Sequence, residues 1–223
     1  MKKFSWPDPP GQTAFPIAGA GYPFIFAGAF VTAVFALIGL VIPAVAGILL
    51  TGGICCFFRD PDRVVPHKTG AVVSPADGKI IKAELIEKNR FTEEKCIKIS
   101  IFMSVFNVHV NRIPYAGKVT EVCYHPGKFF SANLDKASKN NEHNAIFLET
   151  ENGHSICFVQ IAGLIARRII CGLQQGDIVD RGQRFGIICF GSRLDVYLPA
   201  DSDISVSIGD KVKAGTSILG LLS

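Results

Sequence analysis

Pro16–Phe58 reads PIAGAGYPFIFAGAFVTAVFALIGLVIPAVAGILLTGGICCFF, and it divides the chain into two unlike parts. It lies inside a 50-residue run, Pro9–Phe58, that holds no Asp, Glu, Lys, Arg or His. One helix crossing a bilayer takes roughly 20 apolar residues. The run therefore predicts two helices, near 18–38 and 41–58, with Gly39 and Pro43 supplying the break. A secretory signal fits poorly, because its apolar core is only about 7–15 residues and a small-residue cleavage site should follow. Here Cys55-Cys56-Phe57-Phe58-Arg59 follows instead. Lys2 and Lys3 precede the run, and Arg59 and Arg63 close it. The positive-inside tendency then puts both ends on the cytoplasmic side of a cell membrane, as a two-span hairpin requires. A shallow re-entrant anchor and a buried hairpin in a soluble core are the alternatives.

Composition agrees with a membrane location. Hydrophobic residues make up 48% of the 223 and charged residues only 19%, which argues against disorder and against an ordinary soluble enzyme. The net charge of +4 is too mild for a nucleic-acid binder, and no Lys/Arg block supports one, whereas it suits an anionic membrane. Seven scattered cysteines, with no C-x-x-C pair and no Cys/His ligand spacing, indicate neither a disulfide framework nor a metal site. Those after the apolar run read as small core hydrophobes in a reducing compartment. Cys55-Cys56, at the end of that run, are candidates for S-acylation.

From residue 59 the pattern changes to short Val-, Ile- and Phe-rich runs punctuated by Gly, Pro, Asn and Asp. Strands are predicted at 71–73, 79–85, 96–102, 106–110, 118–123, 144–149, 155–161, 165–171, 184–189, 194–198, 204–207 and 217–221. With no long helical period between them, the expectation is an all-β sandwich or barrel over 59–223, preceded by a helical membrane hairpin over 1–58. Gly209-Asp210-Lys211-Val212-Lys213-Ala214-Gly215 resembles the turn of lipoyl- and biotinyl-type barrel-sandwich hybrids, although the tip lysine of a carrier module is missing. The polar stretch Ala132–Asn144 is too long for an ordinary connection and reads as a surface or functional loop.

Three short sites carry candidate chemistry. Ser74-Pro75-Ala76-Asp77-Gly78 is, taken alone, a turn signal. In Phe106–Asn111, strand alternation places Phe106, Val108 and Val110 on one face and Asn107, His109 and Asn111 on the other, a polar surface able to orient an imidazole. Gly191-Ser192, between apolar segments, is ordinarily a kink. A serine gains meaning only beside a base and an orienting acid, and the chain supplies Asp77, His109 and Ser192 in that order.

Taken together, Ser-Pro-Ala-Asp-Gly, the His109 segment closed by Pro114, Pro126-Gly127-Lys128-Phe129, Asn141-Glu142-His143-Asn144 and Gly191-Ser192 resemble the phosphatidylserine decarboxylase family. The likeness spans about residue 59 to the end, and the hairpin and short tail look like its compact subfamily. The resemblance implies a proenzyme that cuts itself between Gly191 and Ser192 into chains 1–191 and 192–223, which stay associated. Ser192 becomes a pyruvoyl group that forms a Schiff base with the substrate amine and takes up the electrons freed as carbon dioxide leaves. It implies His109 as base and proton donor, with Asp77 fixing its tautomer, and a diacyl phospholipid as substrate. Arg167, Arg168, Lys128 and His143 are candidates for binding that substrate, the first three for its phosphate.

The chain departs from the family pattern at several points. Arg193 stands where Thr often follows the Gly-Ser, Asn-Glu-His-Asn replaces the more usual Asn-Glu-Arg-Asn, and a second His near the first is missing, leaving both jobs to His109. Two other readings stay open. One is a pyruvoyl decarboxylase of a different amine, such as an ether-linked archaeal analogue; the other is a membrane-tethered binding module without catalysis. A homo-oligomer is compatible with all of them.

Overall fold

The chain divides into two units, Met1–Pro7 with Arg63–Ser223, and Asp8–Asp62. The structure, a computed structural model, describes residues 2–7, 15–128, 141–163, 168–189 and 192–223. In chain order its elements are β1 (Lys2–Lys3), α1 (Tyr22–Leu37), α2 (Val41–Phe57), β2 (Ala71–Val73), β3 (Gly78–Ile86), β4 (Cys96–Met103), β5 (Val110–Arg112), β6 (Gly117–His125), β7 (His143–Glu149) and β8 (Ser155–Ala162). Then come β9 (Arg168–Cys171), β10 (Asp177–Val179), β11 (Arg184–Cys189), β12 (Ser192–Pro199), β13 (Asp203–Ile204), β14 (Lys211–Val212) and β15 (Ile218–Leu221).

Within the smaller unit, Gly39 turns the chain between the two helices with φ +77°, and Pro43 sits in the first turn of α2, where a missing N–H does no harm. The base is closed by the Ala18 N–H donating to the Phe58 carbonyl and the Asp60 N–H donating to the Pro16 carbonyl, each at 2.8 Å. Large apolar side chains face outward, Phe30 at 71% exposure and Ile42 at 84% among them. Gly19–Leu37 is long and apolar enough to cross a membrane. The 17 residues of α2 extend only about 26 Å, against roughly 30 Å of bilayer hydrocarbon. The second expected helix is thus present, but it falls short of that thickness.

The larger unit is built of strands, as the sequence predicts, arranged in three sheets. The nine-stranded sheet has the order β1-β10-β6-β7-β8-β12-β4-β3-β14, and two three-stranded sheets run β5-β11-β9 and β13-β15-β2. The first residues belong here and not with the hairpin. Lys2–Lys3 pairs in parallel with β10, Phe4 is buried in the core, and the Gln183 side chain donates to the Phe4 carbonyl at 2.8 Å. The core lies on one face of the large sheet, where Ile97, Ile99 and Ile101 of β4 meet Leu194, Val196 and Leu198 of β12. Phe158 of β8 packs edge-on against Phe185 of β11, closing the second sheet over that face.

Two local expectations change. The predicted strand 106–110 is a turn followed by a strand that starts only at Val110. The two-face alternation fails with it, because Val108, His109, Val110 and Asn111 are all buried. The Asn107 side chain causes this, accepting from both the N–H and the hydroxyl of Ser104 at 2.8 Å and so closing a turn where an extended strand was expected.

Gly78, read as a turn glycine, instead opens β3 without a positive φ. A β-carbon there would overlap the Phe102 carbonyl oxygen and crowd the Ile101 side chain. Gly78→Ala should therefore destabilise the fold by about 1–3 kcal/mol. Denaturant unfolding followed through Trp6, the single tryptophan, which packs against this core, measures it. An unchanged midpoint would show that β3 and β4 separate without strain.

Candidate active site

β12 starts at Ser192 and is paired from that residue on both sides, with Met103 of β4 and Ala162 of β8 as direct partners. Ser192 is two residues before Leu194 and so shares its core-facing side. The residue is fully buried, and its hydroxyl donates to the Met103 sulfur at 3.2 Å. The same sulfur accepts from the Asn111 amide at 3.9 Å. Asn111 in turn accepts from Gln160 Nε2 at 2.9 Å, and Gln160 accepts from Asn144 at 3.3 Å. A line of buried amides thus runs across β5, β8 and β7 next to the serine.

His109 comes to the same end of the sheet. Its carbonyl accepts from the Ile188 N–H at 3.4 Å, and the Ile188 side chain packs against Ala162, the lateral neighbour of Ser192. Its Nδ1 lies 2.9 Å from the Asn107 carbonyl. A carbonyl can only accept, so the proton sits on Nδ1 and Nε2 is left as the basic nitrogen. His143 repeats the arrangement with the carbonyl of Asn141 at 2.8 Å.

Asp77 stands one strand further over, before β3. Its Oδ1 accepts from the Ala214 N–H at 2.7 Å and its Oδ2 from Arg63 at 2.9 Å. The bend it occupies is stitched to β5 by the Arg112 N–H donating to the Pro75 carbonyl at 2.9 Å. Asp77 thus holds Arg63 and a backbone amide, and the Asn107 carbonyl faces Nδ1 of the imidazole.

The substrate-binding candidates divide. The Asn141 side chain donates to the Ala162 carbonyl at 2.7 Å, and Lys128 bridges to Asn141. Lys128 and His143 are therefore at the Ser192 end. Arg168 is exposed at the start of β9, opposite Cys189. Gly191 and Arg167, like Phe129 and residues 132–140 of the polar stretch, lie outside the described residues. A groove of about 510 Å³ lined by Phe91, Cys157 and Pro199 is at the opposite end of the sheet, so volume alone does not locate this chemistry.

Sequence reasoning missed what lies behind the serine. Arg193 points to the other face of the sheet, fully buried, with Nε 2.6 Å and Nη2 3.1 Å from the carboxylate of Asp195. Nη2 also donates to Ser100 at 2.8 Å, and Lys98 approaches Asp195 at 3.2 Å. The signal was readable: opposite charges two apart in a strand share one face. On that face burial pushes the thiol of Cys157 and the phenol of Tyr197 well up, so neither ionises near neutrality.

A hydroxyl, an imidazole with its tautomer set by a backbone carbonyl and a row of amides are thus gathered, buried, at one end of the sheet. Proteins of known function say which enzyme class this is. The family described as Phosphatidylserine decarboxylase matches residues 50–220. A phosphatidylserine decarboxylase proenzyme of Desulfotalea psychrophila is 52% identical over 209 residues, covering 94% of this chain and 98% of its own. Those of Syntrophus aciditrophicus (52% over 206 residues, 92% and 96% covered) and Geotalea uraniireducens (49% over 207, 93% and 97%) are similarly close. The chain belongs to the phosphatidylserine decarboxylase family.

Two measurements test the site's supports. Asp195→Asn removes the buried counter-charge of Arg193 and should destabilise the fold by about 3–5 kcal/mol, read as a lower unfolding midpoint. A midpoint within experimental error of the parent would mean that the pair contributes nothing.

The second concerns His143, which burial holds below the ordinary imidazole range, with repulsion from Arg90 and His125 adding to the effect against the pull of the Asn141 carbonyl. The unfolded chain protonates this residue near pH 6.5, the folded chain only at lower pH. Stability is therefore complete above about pH 6.5 and falls as the pH drops from there through the folded value. His143→Gln should lose less stability than the parent between about pH 7 and 5. Parallel losses in both would remove His143 from the pH response.

Proposed function

We propose that this chain converts phosphatidylserine to phosphatidylethanolamine and carbon dioxide, after cutting itself between Gly191 and Ser192. The observation that carries the reading is family membership over nearly the whole chain, joined to a buried serine at the head of a doubly paired strand. In maturation, the Ser192 hydroxyl loses its proton to His109 Nε2 and attacks the Gly191 carbonyl carbon. The peptide C–N bond breaks and an ester takes its place. Loss of the Ser192 α-proton and of the Gly191 carboxylate from Cβ, followed by addition of water and departure of ammonia, leaves a ketoacyl group at the head of 192–223. Burial of Ser192 beside polar amides suits a small polar carbonyl group, and no metal enters this scheme. When formed, the pyruvoyl group supplies an electron sink for the carboxylate's departing pair.

The chain's residues do the rest. His109, held by Asn107 with its proton on Nδ1, accepts a proton at Nε2 in maturation and returns one to the substrate carbon in decarboxylation. Asp77 acts through Arg63 and the Ala214 amide, which fix the bend beside β5, and so positions the site at one remove. Lys128, Arg168, Arg167 and His143 are our candidates for the lipid head group. Chains 1–191 and 192–223 stay together, with the β unit on the cytoplasmic side and 8–62 as membrane anchor. The Gly209–Gly215 segment, a turn leading into β14 against β3, supports reading the β unit as barrel-sandwich-hybrid-like.

Ser192→Ala should remain a single chain, and the parent should give two fragments, the smaller with no free amine at its start. His109→Ala should slow cleavage by about 10²–10⁴-fold in a time course after synthesis, since the hydroxyl loses its base. Mass spectrometry reads both. An uncut parent that still releases carbon dioxide from phosphatidylserine would sink the scheme, and a normal rate in folded His109→Ala would remove this residue from maturation.

A further inference from the structure

We propose that Asn111 is a catalytic residue of maturation: its Nδ2 donates to Ser192 Oγ as that oxygen leaves Cβ, and Gln160 and Asn144 are the positioning residues that aim it. The inference rests on the self-cleavage reading above and deepens it, because that scheme assigns no donor to the leaving oxygen. Asn111 and Gln160 have no exposure and Asn144 only 3%. Burying an amide costs about 1–3 kcal/mol unless its hydrogen bonds are made, so a row of three calls for a reason.

The direction of the row supplies one. Met103 is a thioether and has no hydrogen to give, so the Asn111 group facing its sulfur at 3.9 Å must be the N–H side of the amide. The Asn111 oxygen is then left to accept from Gln160 Nε2 at 2.9 Å. The Gln160 oxygen accepts in turn from Asn144 at 3.3 Å, its direct partner across β7 and β8. Every amide therefore donates towards the serine, and each hydrogen bond polarises the next. The hydroxyl of Ser192 meets the same sulfur at 3.2 Å. A thioether is a weak acceptor, and an oxygen gaining charge next to it is a far better one. The donor is in place before the charge develops, which is the arrangement that stabilises a transition state.

The step balances on the chain's own atoms. When the ester forms, His109 Nε2 passes the hydroxyl's proton to the Ser192 nitrogen, and it then takes up the Ser192 α-proton. The C–H electron pair closes a double bond between Cα and Cβ, and the Cβ–Oγ bond breaks with its pair on oxygen. That oxygen departs as part of the Gly191 carboxylate, and Asn111 meets its charge.

The test follows the full chain after synthesis. Samples are stopped in denaturant and treated briefly with neutral hydroxylamine, which splits esters and leaves peptide bonds, and mass spectrometry reads the fragments. Asn111→Asp keeps the acceptor for Gln160 and removes the donor. It should slow the appearance of ketoacyl-headed 192–223 by about 10²–10³-fold. From the chain still uncut, hydroxylamine should release 192–223 headed by serine, heavier by one ammonia. Gln160→Met keeps the shape and leaves Asn111 unaimed; it should give the same serine-headed fragment with a smaller delay, and it decides the matter where Asn111→Asp does not fold. A row that only fills the core would lower the unfolding midpoint and give no hydroxylamine-labile chain. That result overturns the proposal, as does maturation at the parent's rate in either folded variant. A slow chain that hydroxylamine leaves whole overturns it too, since the block would precede the ester. A parent that never cuts sinks the maturation reading itself, whereas a parent that cuts beside variants of unchanged rate sinks this inference alone.

Discussion

Everything at this site depends on β12 being an interior strand from its first residue. Pairing with β4 and β8 from Ser192 onward satisfies the backbone on both sides and holds the serine buried. A strand start at an edge would fray, and water would compete with every step proposed for the hydroxyl. The same pairing explains how a cut just before Ser192 need not release 192–223. That segment contributes β12 to the middle of the large sheet, β14 to its edge beside β3, and β15 to the third sheet beside β2. Separating it would unpair strands in two sheets and open the main core, so association needs no covalent link.

The residue after the serine gains its sense from strand parity. With Ser192 facing the core, Arg193 must face the other side, where its guanidinium meets Asp195 of its own strand and Ser100 of β4. A buried charge pair gives little net stability against an apolar replacement, yet it is rigid once formed and sensitive to losing one partner. Placed next to Ser192, it fixes the course of the backbone at the residue whose geometry matters most. The two Asn-x-His segments work in the same economical way. A carbonyl two residues earlier faces each Nδ1, so each tautomer is set by the local backbone.

This division between local and distant determinants explains what was legible in the sequence. The helices, the β character of residues 63–223 and most strand positions follow from composition and punctuation, and the boundaries at 71–73 and 184–189 match the structure residue for residue. The motif set identified the family because its order is specific even where each member is weak. What resisted reading was pairing. Nothing in Asp77 or His109 as residues says that Arg63 and the Ala214 amide take the one and the Asn107 carbonyl the other. Short strands such as β1, β10 and β14 were invisible because two or three residues hold no period; only the neighbour they pair with makes them strands.

The same invisible strand β1 bears on how the chain meets a membrane. Lys2–Lys3 pairs with β10, and Lys3 reaches Asp180 at 2.9 Å, so the residues before the hairpin are built into the unit formed by the residues after it. A folded unit cannot be divided across a bilayer. Whatever part of 8–62 enters the membrane must therefore come back to the side it left, and the number of complete crossings is even. That excludes a single span by α1 alone, although α1 is the helix with the length for it. Lys2, Lys3 and Arg63, the basic residues on either side of the run, thus belong to one folded unit.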